Sequence, residues 1–310
     1  MTAGLLLLIA AISGCAESPP AIDNVGGRQI ALTFDDATKG TGPFFTGAER
    51  TPKLIAALEA AGVDEAMFFV TTRNVERQGD SGRARIEAYA EAGHTLGNHS
   101  HSHQWLSRTD TDAYIADLDT AISQLANYER LQAFYRFPFL DEGRAVEKRD
   151  RLRQALSDRG LKNGYVTVDT YDWYLDALAK EANEAGTEFD LEKLGALYVD
   201  VIVSSTEFYD ALAQRTLGRS PRHVLLLHEN DMAAMFIGDL VAELRNRGFE
   251  IIPATAAFND PIADREPDTV FLGQGRIAAL AHEAGAEPRS LVSPTEDEGY
   301  LKKRFDAEVL

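Results

Sequence analysis

The stretch Gln29-Ile-Ala-Leu-Thr-Phe-Asp-Asp36 indicates both the fold and the place where its chemistry lies. Residues 30–34 are apolar or β-branched, which is typical of a buried strand. Two acids, Asp35 and Asp36, follow this run directly. The stretch therefore predicts a strand with a pair of carboxylates at its carboxyl end.

Short apolar runs alternate with helical patterns along the chain beyond this stretch. The predicted strands cover residues 29–34, 66–70, 94–96, 133–137, 164–168, 223–227 and 250–252. The predicted helices cover residues 51–61, beginning at Thr51-Pro52, and 86–92, 110–128, 146–159 and 232–247. Strands that alternate with glycine-terminated helices indicate an α/β protein with a parallel sheet. Seven strands favour a distorted (β/α) barrel, with an open sheet as the alternative.

Residues with reactive side chains stand at or just past the ends of these predicted strands. In chain order they are Asp35, Asp36, His99, His103, Arg136, Asp169, Asp172 and His228. In (β/α) barrels the active site forms at the rim where the strands end. Five strand ends would therefore deliver these groups to one site at the C-terminal rim.

Three of the seven histidines fall within five residues, as His99, His101 and His103. His99 and His103 are four apart and would share one face of a helical turn, whereas His101 would point away. Two imidazoles and one carboxylate leave a coordination position open for water, as in catalytic metal sites. The pattern predicts a divalent metal site, with Zn²⁺ favoured and Co²⁺ or another divalent ion as alternatives.

Composition excludes some classes of partner. The formal net charge of −18 argues against binding to nucleic acid or to an anionic lipid surface. A chain of 310 residues with 45% hydrophobic content can form one large core or two ordinary ones. Composition does not set the oligomeric state.

The N-terminal residues resemble a bacterial lipoprotein signal. An apolar run, 5–12, precedes the lipobox Ile12-Ser-Gly-Cys15, which contains the single cysteine. Residues 1–15 are therefore predicted to be a signal peptide and 16–27 a linker, with Cys15 carrying a lipid anchor in the cell envelope. An ordinary cleaved signal for secretion and a buried N-terminal helix are the alternatives, and the n-region lacks Lys and Arg.

Five short motifs resemble those of the polysaccharide deacetylases, the NodB-homology domain of carbohydrate esterase family 4. They are Thr33-Phe-Asp-Asp36, His99-Ser-His-Ser-His103, Arg136-Phe-Pro-Phe139, Asp169-Thr-Tyr-Asp-Trp173 and Leu226-Leu-His228. Two positions depart from the family pattern, since Ala37 stands where many members have Gly and Phe139 where Tyr is commoner.

The resemblance implies a role for each matching residue. Asp36, His99 and His103 would bind the metal. Asp35 would be the general base, oriented and kept charged by Arg136, and His228 the general acid, paired with Asp172. Trp173, Leu226 and Phe139 would line the substrate pocket. His94, His223 and His282 match no motif and are expected to be structural or exposed.

The resemblance also implies domain limits and a function. The catalytic domain would cover residues 28–259, and 260–310 would form an acidic, partly helical extension with a loose end. The expected activity is metal-dependent removal of N-acetyl groups from an extracytoplasmic glycan, such as peptidoglycan, a chitin-like oligomer or an exopolysaccharide. The alternatives are an O-acetyl esterase of the acetylxylan type and a glycan-binding lipoprotein without turnover. A metal-free amide hydrolase of the same superfamily fits less well, because the three ligand residues are intact.

Overall fold

The computed structural model describes residues 27–310. The predicted signal peptide, Cys15 and residues 16–26 of the predicted linker lie outside the described residues. Within residues 27–310, no helix combines the length and the apolarity that crossing a bilayer requires.

Seven parallel strands form one sheet, in which the first strand pairs with three of the others. The strands are β1 Arg28–Ala37, β2 Met67–Val70, β3 Thr95–Asn98, β4 Leu131–Tyr135, β5 Lys162–Asn163, β6 Arg222–His228 and β7 Phe249–Ile251. Their order is β5-β4-β3-β2-β1-β6, and β7 pairs with the beginning of β1. Residues 30–34 of β1 are buried on both faces, which explains their unbroken apolar run.

The segment after β5 joins the two ends of this curled sheet. Gly164 N–H donates to the carbonyl of Tyr135 in β4 at 2.7 Å. Four residues later, Val168 forms a parallel bridge with Leu225 of β6. The predicted distorted barrel is therefore confirmed, but the predicted strand at 164–168 is wrong. This segment crosses from one edge of the sheet to the other, so it cannot form a continuous ladder with either.

Helices surround the sheet. They are α1 Gly47–Ala60, α2 Thr72–Gln78, α3 Asp80–Glu91, α4 Thr111–Leu125, α5 Val146–Asp158, α6 Asp172–Glu184, α7 Leu191–Leu217, α8 Asp231–Asn246, α9 Ala254–Ala257, α10 Gly275–Glu283 and α11 Glu298–Glu308. The predicted start of α1 at Thr51-Pro52 is wrong. Thr46 and Glu49 form a capping box that satisfies the first N–H groups, so the helix begins a turn earlier and Pro52 lies inside it.

The C-terminal end is packed, contrary to the expected loose end. Helix α11 lies against α6 and α7, and its Leu301 and Phe305 are buried in the main core. The carbonyl of Val309 accepts a hydrogen bond of 3.0 Å from Asp190 N–H before α7. Burial of these apolar side chains outweighs the acidic character of the segment.

Candidate active site

The end of β1 presents both of its acids to the same site. Thr33 and Asp35 lie on one face of the strand because successive side chains alternate, so Asp36 would face the opposite way in a regular strand. Asp36 instead has a left-handed backbone with φ 64°. The register with β2 also shifts between Phe34 and Ala37. Because of this irregularity, the Asp36 carboxylate lies on the same face as the Asp35 carboxylate.

The histidine motif lies on a loop and not on a helical turn. Strand β3 ends at Asn98, and both Ser100 (φ 71°) and His103 (φ 56°) have left-handed backbones. Ser100 N–H donates to Asn98 Oδ1 at 2.8 Å, and His103 N–H donates to Ser100 Oγ at 2.9 Å. The helical interpretation is therefore wrong, although His99 and His103 do converge, with ring centroids 5.0 Å apart.

Asp36, His99 and His103, the three residues predicted to bind a metal, come together in one group, called the ligand group. Their ligand atoms all lie within 4.8 Å of one another. Asp36 Oδ1 is 3.2 Å from His103 Nε2 and 3.8 Å from His99 Nε2. Ligands at Zn²⁺ bond lengths in a tetrahedral arrangement are about 3.3 Å apart. The spacing and the donor set therefore fit a divalent cation.

The surroundings of this group favour ligand chemistry. His99 Nδ1 lies 2.9 Å from the carbonyl of Arg136, which leaves Nε2 directed at Asp36. Burial lowers the pKa of His99 to about 4, so its ring is neutral near pH 7. Burial would raise the pKa of Asp36, but His103, His228 and His99 outweigh it and hold that pKa below its ordinary value. A neutral imidazole and an ionised carboxylate are the forms that bind metal.

Asp35 is held by a buried arginine beside this group. Arg136 Nη1 donates to Asp35 Oδ1 at 2.8 Å, and both side chains are buried. Arg136 also donates to Thr33 Oγ1. The other carboxylate oxygen, Asp35 Oδ2, lies 3.7 Å from His99 Nε2. Asp35 thus has one oxygen fixed by a cation and the other directed toward the ligand group.

His228 and Asp172 form a second charged pair across the site. His228 Nδ1 is 2.7 Å from Asp172 Oδ1, and His228 N–H donates to Asp172 Oδ2 at 2.9 Å. Asn230 also donates to Asp172 Oδ2. Burial would lower the pKa of His228, but Asp172 outweighs it and raises that pKa above its ordinary value. The imidazolium form, which can donate a proton, is therefore favoured.

The three predicted pocket residues have different surroundings. Leu226 is buried on β6, two residues before His228 and on the same face. Trp173 is half-buried in the first turn of α6, against Tyr171 and Tyr174. Phe139 lies beside His103, with ring centroids 4.5 Å apart.

The remaining histidines lie outside this group, as expected. His101 Nδ1 is 2.9 Å from Thr72 Oγ1, on the side of α2. His94 and His223 are buried and hydrogen-bonded, and His282 is 2.8 Å from Thr269 Oγ1. Asp169 is also buried, and its carboxylate accepts from Thr170 N–H at 2.8 Å within the loop.

Sequence analysis did not identify the buried acid that supports the site. Glu229, directly after His228, is fully buried and accepts hydrogen bonds from Arg85 Nη2 at 2.8 Å and from Tyr89 at 2.9 Å. Its carboxylate also accepts from Lys39 N–H, and its own N–H donates to the carbonyl of Asp35. Glu229 therefore ties the end of β6 to the chain that follows Asp36. The sequence did contain a signal for Glu229, because this acid directly follows a candidate catalytic histidine.

A cavity of about 1080 Å³ lies away from these residues. It is lined by α7, α8 and the segment before α11, with Glu207, Phe236 and Tyr300 among its walls. None of its lining residues belongs to the candidate site, so we assign it no part in the chemistry there.

Comparison with known proteins agrees with the resemblance seen in the motifs. Residues 23–164 match the sequence model of the polysaccharide deacetylase family. A peptidoglycan-N-acetylglucosamine deacetylase of Bacillus cereus is 31% identical over 148 residues, which cover 47% of this chain and 46% of the relative. The match thus spans about half the length of this curated relative. Residues 23–164 are therefore similar to a polysaccharide deacetylase domain.

Solved structures share the fold. A CE4-family pseudoenzyme from Bacillus anthracis is 17% identical, with a TM-score of 0.50, over 75% of this chain and 66% of that one. A mutant of the same pseudoenzyme with restored enzymatic activity is 19% identical, with a TM-score of 0.50, over 75% and 68% of the two chains. Asp172 and His228 lie beyond residues 23–164, the part that matches the family model. Only their positions in the structure therefore link them to the first three motifs.

Proposed function

We propose that this polysaccharide deacetylase domain hydrolyses N-acetyl groups on an extracytoplasmic glycan, with a divalent ion, most simply Zn²⁺, held by Asp36, His99 and His103. One observation carries the proposal. A carboxylate paired with a cation and a histidine paired with a carboxylate flank a group of three side chains that could hold a metal ion. A base, an acid and a metal are the groups that amide hydrolysis requires.

Each charged pair has one task in this reaction. When bound, a divalent ion supplies a Lewis acid that acidifies water and polarises a carbonyl. Asp35 accepts a proton from the attacking water, whose oxygen bonds to the acetyl carbon. His228 donates its Nε2 proton to the amide nitrogen as the carbon–nitrogen bond breaks. The products are acetate and a free amine on the sugar.

The supporting residues orient these two groups. Arg136 donates to one oxygen of Asp35 and fixes its position, which leaves the other oxygen to accept the proton. Asp172 contacts His228 Nδ1, so Nε2 is the nitrogen that exchanges the proton. Trp173, Leu226 and Phe139 are proposed to wall the acetyl pocket and the sugar site.

Acetate release from a panel of acetylated glycans tests this function. The panel contains N-acetylglucosamine oligomers, peptidoglycan and acetylxylan, each with chelator and after addition of Zn²⁺ or Co²⁺. We expect metal-restored release from the amide substrates. Release from acetylxylan alone would favour the O-acetyl esterase, and binding without any release would favour a non-catalytic glycan-binding protein.

The proposed location rests on residues 1–15. We propose that Cys15 carries a lipid anchor and that the domain acts outside the cytoplasm, where peptidoglycan and other envelope glycans lie. The full chain expressed in a bacterium should incorporate labelled palmitate into the membrane fraction, and Cys15→Ala should abolish the label. An unlabelled protein in the medium would favour the cleaved signal instead.

A further inference from the structure

Two aromatic rings stack beside the metal-ligand group. The rings of Trp105 and Phe139 are 3.9 Å apart between centroids and only 5° from parallel. Phe139 in turn lies 4.5 Å from the ring of His103. Trp105 belongs to none of the five motifs and lies two residues after the last metal-ligating histidine.

The outer ring of this pair is unusually exposed. Phe139 is 40% accessible to solvent, whereas most large aromatic side chains of residues 27–310 are buried or half-buried. Its backbone has φ 59°, and the next residue, Leu140, has φ 50°. Both are non-glycine residues in a left-handed conformation, which is strained and concentrates at functional sites. The backbone thus holds an apolar ring out toward solvent at the edge of the site.

The inner ring is held by two neighbours. Trp105 is half-buried, and the guanidinium of Arg108 lies over it, 4.7 Å from the ring centroid. With Phe139 stacked on it, Trp105 has little freedom to move. An exposed ring that is backed by a fixed one loses little conformational entropy when it binds a flat apolar surface.

We propose that the Phe139–Trp105 stack is a sugar platform, which binds the ring adjacent to the sugar that carries the reacting acetyl group. This inference rests on the proposed function. The ligand is a pyranose of an acetylated oligosaccharide, because one face of such a ring presents C–H groups that pack on an aromatic face. The distance to His103 places a bound sugar directly beside the ligand group. The platform therefore selects for chain length, because a single sugar cannot occupy both positions.

Kinetics with two chain lengths test the platform. We expect Trp105→Ala to lower the ratio of kcat/KM for the N-acetylglucosamine pentasaccharide to that for the monosaccharide by about tenfold, with the loss mostly in KM. Trp105→Phe keeps an aromatic ring and should keep most of the ratio. Tyr300→Ala, which removes an aromatic side chain 43% exposed on α11, is the matched control and should leave the ratio unchanged.

A binding measurement gives a second readout that needs no turnover. The chain has two tryptophans, so Asp35→Asn combined with Trp173→Phe leaves Trp105 as the sole tryptophan, whose emission can be excited selectively. Pentasaccharide should shift or quench its emission with saturation, and monosaccharide should do so only weakly. This protein retains Trp105, so the result does not depend on how well Trp105→Ala folds.

The outcomes separate the platform from the proposed activity. An unchanged ratio in Trp105→Ala, or equal losses on both substrates, would overturn the platform even if acetate is released normally. If no glycan releases acetate, the proposed activity fails, and the fluorescence titration alone decides whether the platform binds sugar. A silent titration overturns the platform in that case too.

Discussion

Asp35 and His228 are direct register partners at the ends of the neighbouring parallel strands β1 and β6. Paired residues of adjacent strands direct their side chains to the same face of a sheet, so the proposed base and acid lie side by side. Each is held by a buried partner of opposite charge, Arg136 at 2.8 Å and Asp172 at 2.7 Å. The sheet itself thus sets the separation between the two proton-transfer groups.

Replacing Asp35 with Asn should abolish most acetate release while the metal stays bound. Asparagine keeps the shape of the side chain but cannot accept the proton, and general bases contribute about 10²–10⁴-fold to such reactions. Acetate release and metal content, measured on the same preparation, check this result. Turnover of Asp35→Asn near the wild-type rate would show that the base is another residue.

Substitutions of two neighbouring histidines should differ in their effect on metal binding. His103→Ala removes one of the three proposed ligands and should lose both metal and activity. His101→Ala is the matched control, because His101 lies two residues away and contacts Thr72 outside the ligand group. Calorimetric titration with Zn²⁺ measures the stoichiometry in each. Equal losses in the two variants would contradict the assignment of the ligand set.

The alkaline side of the pH profile should depend on Asp172. His228 must be protonated to donate, so activity falls as pH rises through its raised pKa. Asp172→Asn removes the charge that raises this pKa while burial, which lowers it, remains. The alkaline limb of kcat/KM should therefore move to lower pH. If the alkaline limb of kcat/KM does not move in Asp172→Asn, it reflects the titration of a group other than His228.

The buried support of the site should be important for stability. Glu229→Gln would leave Arg85 without its buried counter-charge, whereas Arg50, 3.6 Å from Glu229, would keep Asp231 at 2.7 Å. Removing one partner of a buried ion pair costs about 3 kcal/mol. The free energy of unfolding, measured with urea, should fall by that order. Glu243→Gln, which breaks a surface pair with Arg247, is the control and should not change it measurably.

The sequence by itself determined the strand–helix alternation and the residue types of the site. Residues 30–34 and the other apolar runs specify strands because apolar side chains must be buried, whatever their partners. In a parallel sheet all carboxyl ends meet at one rim, so acids and histidines after the strands could be expected to converge. Six of the seven predicted strands lie close to observed ones, since this reasoning uses local pattern alone.

Tertiary structure alone decided how those residues meet. The loop from Asn98 to His103 is held by local hydrogen bonds and by Asp117, which accepts from two of its N–H groups. The chain at the left-handed Asp36 is held by Glu229, whose N–H donates to the carbonyl of Asp35. The closure at Val168 depends on an edge formed by β6, which follows more than fifty residues later. Trp105 joins Phe139 only when two separate loops pack. Local sequence pattern could not predict these four features, because they are stabilised by contacts between segments that are far apart in the sequence.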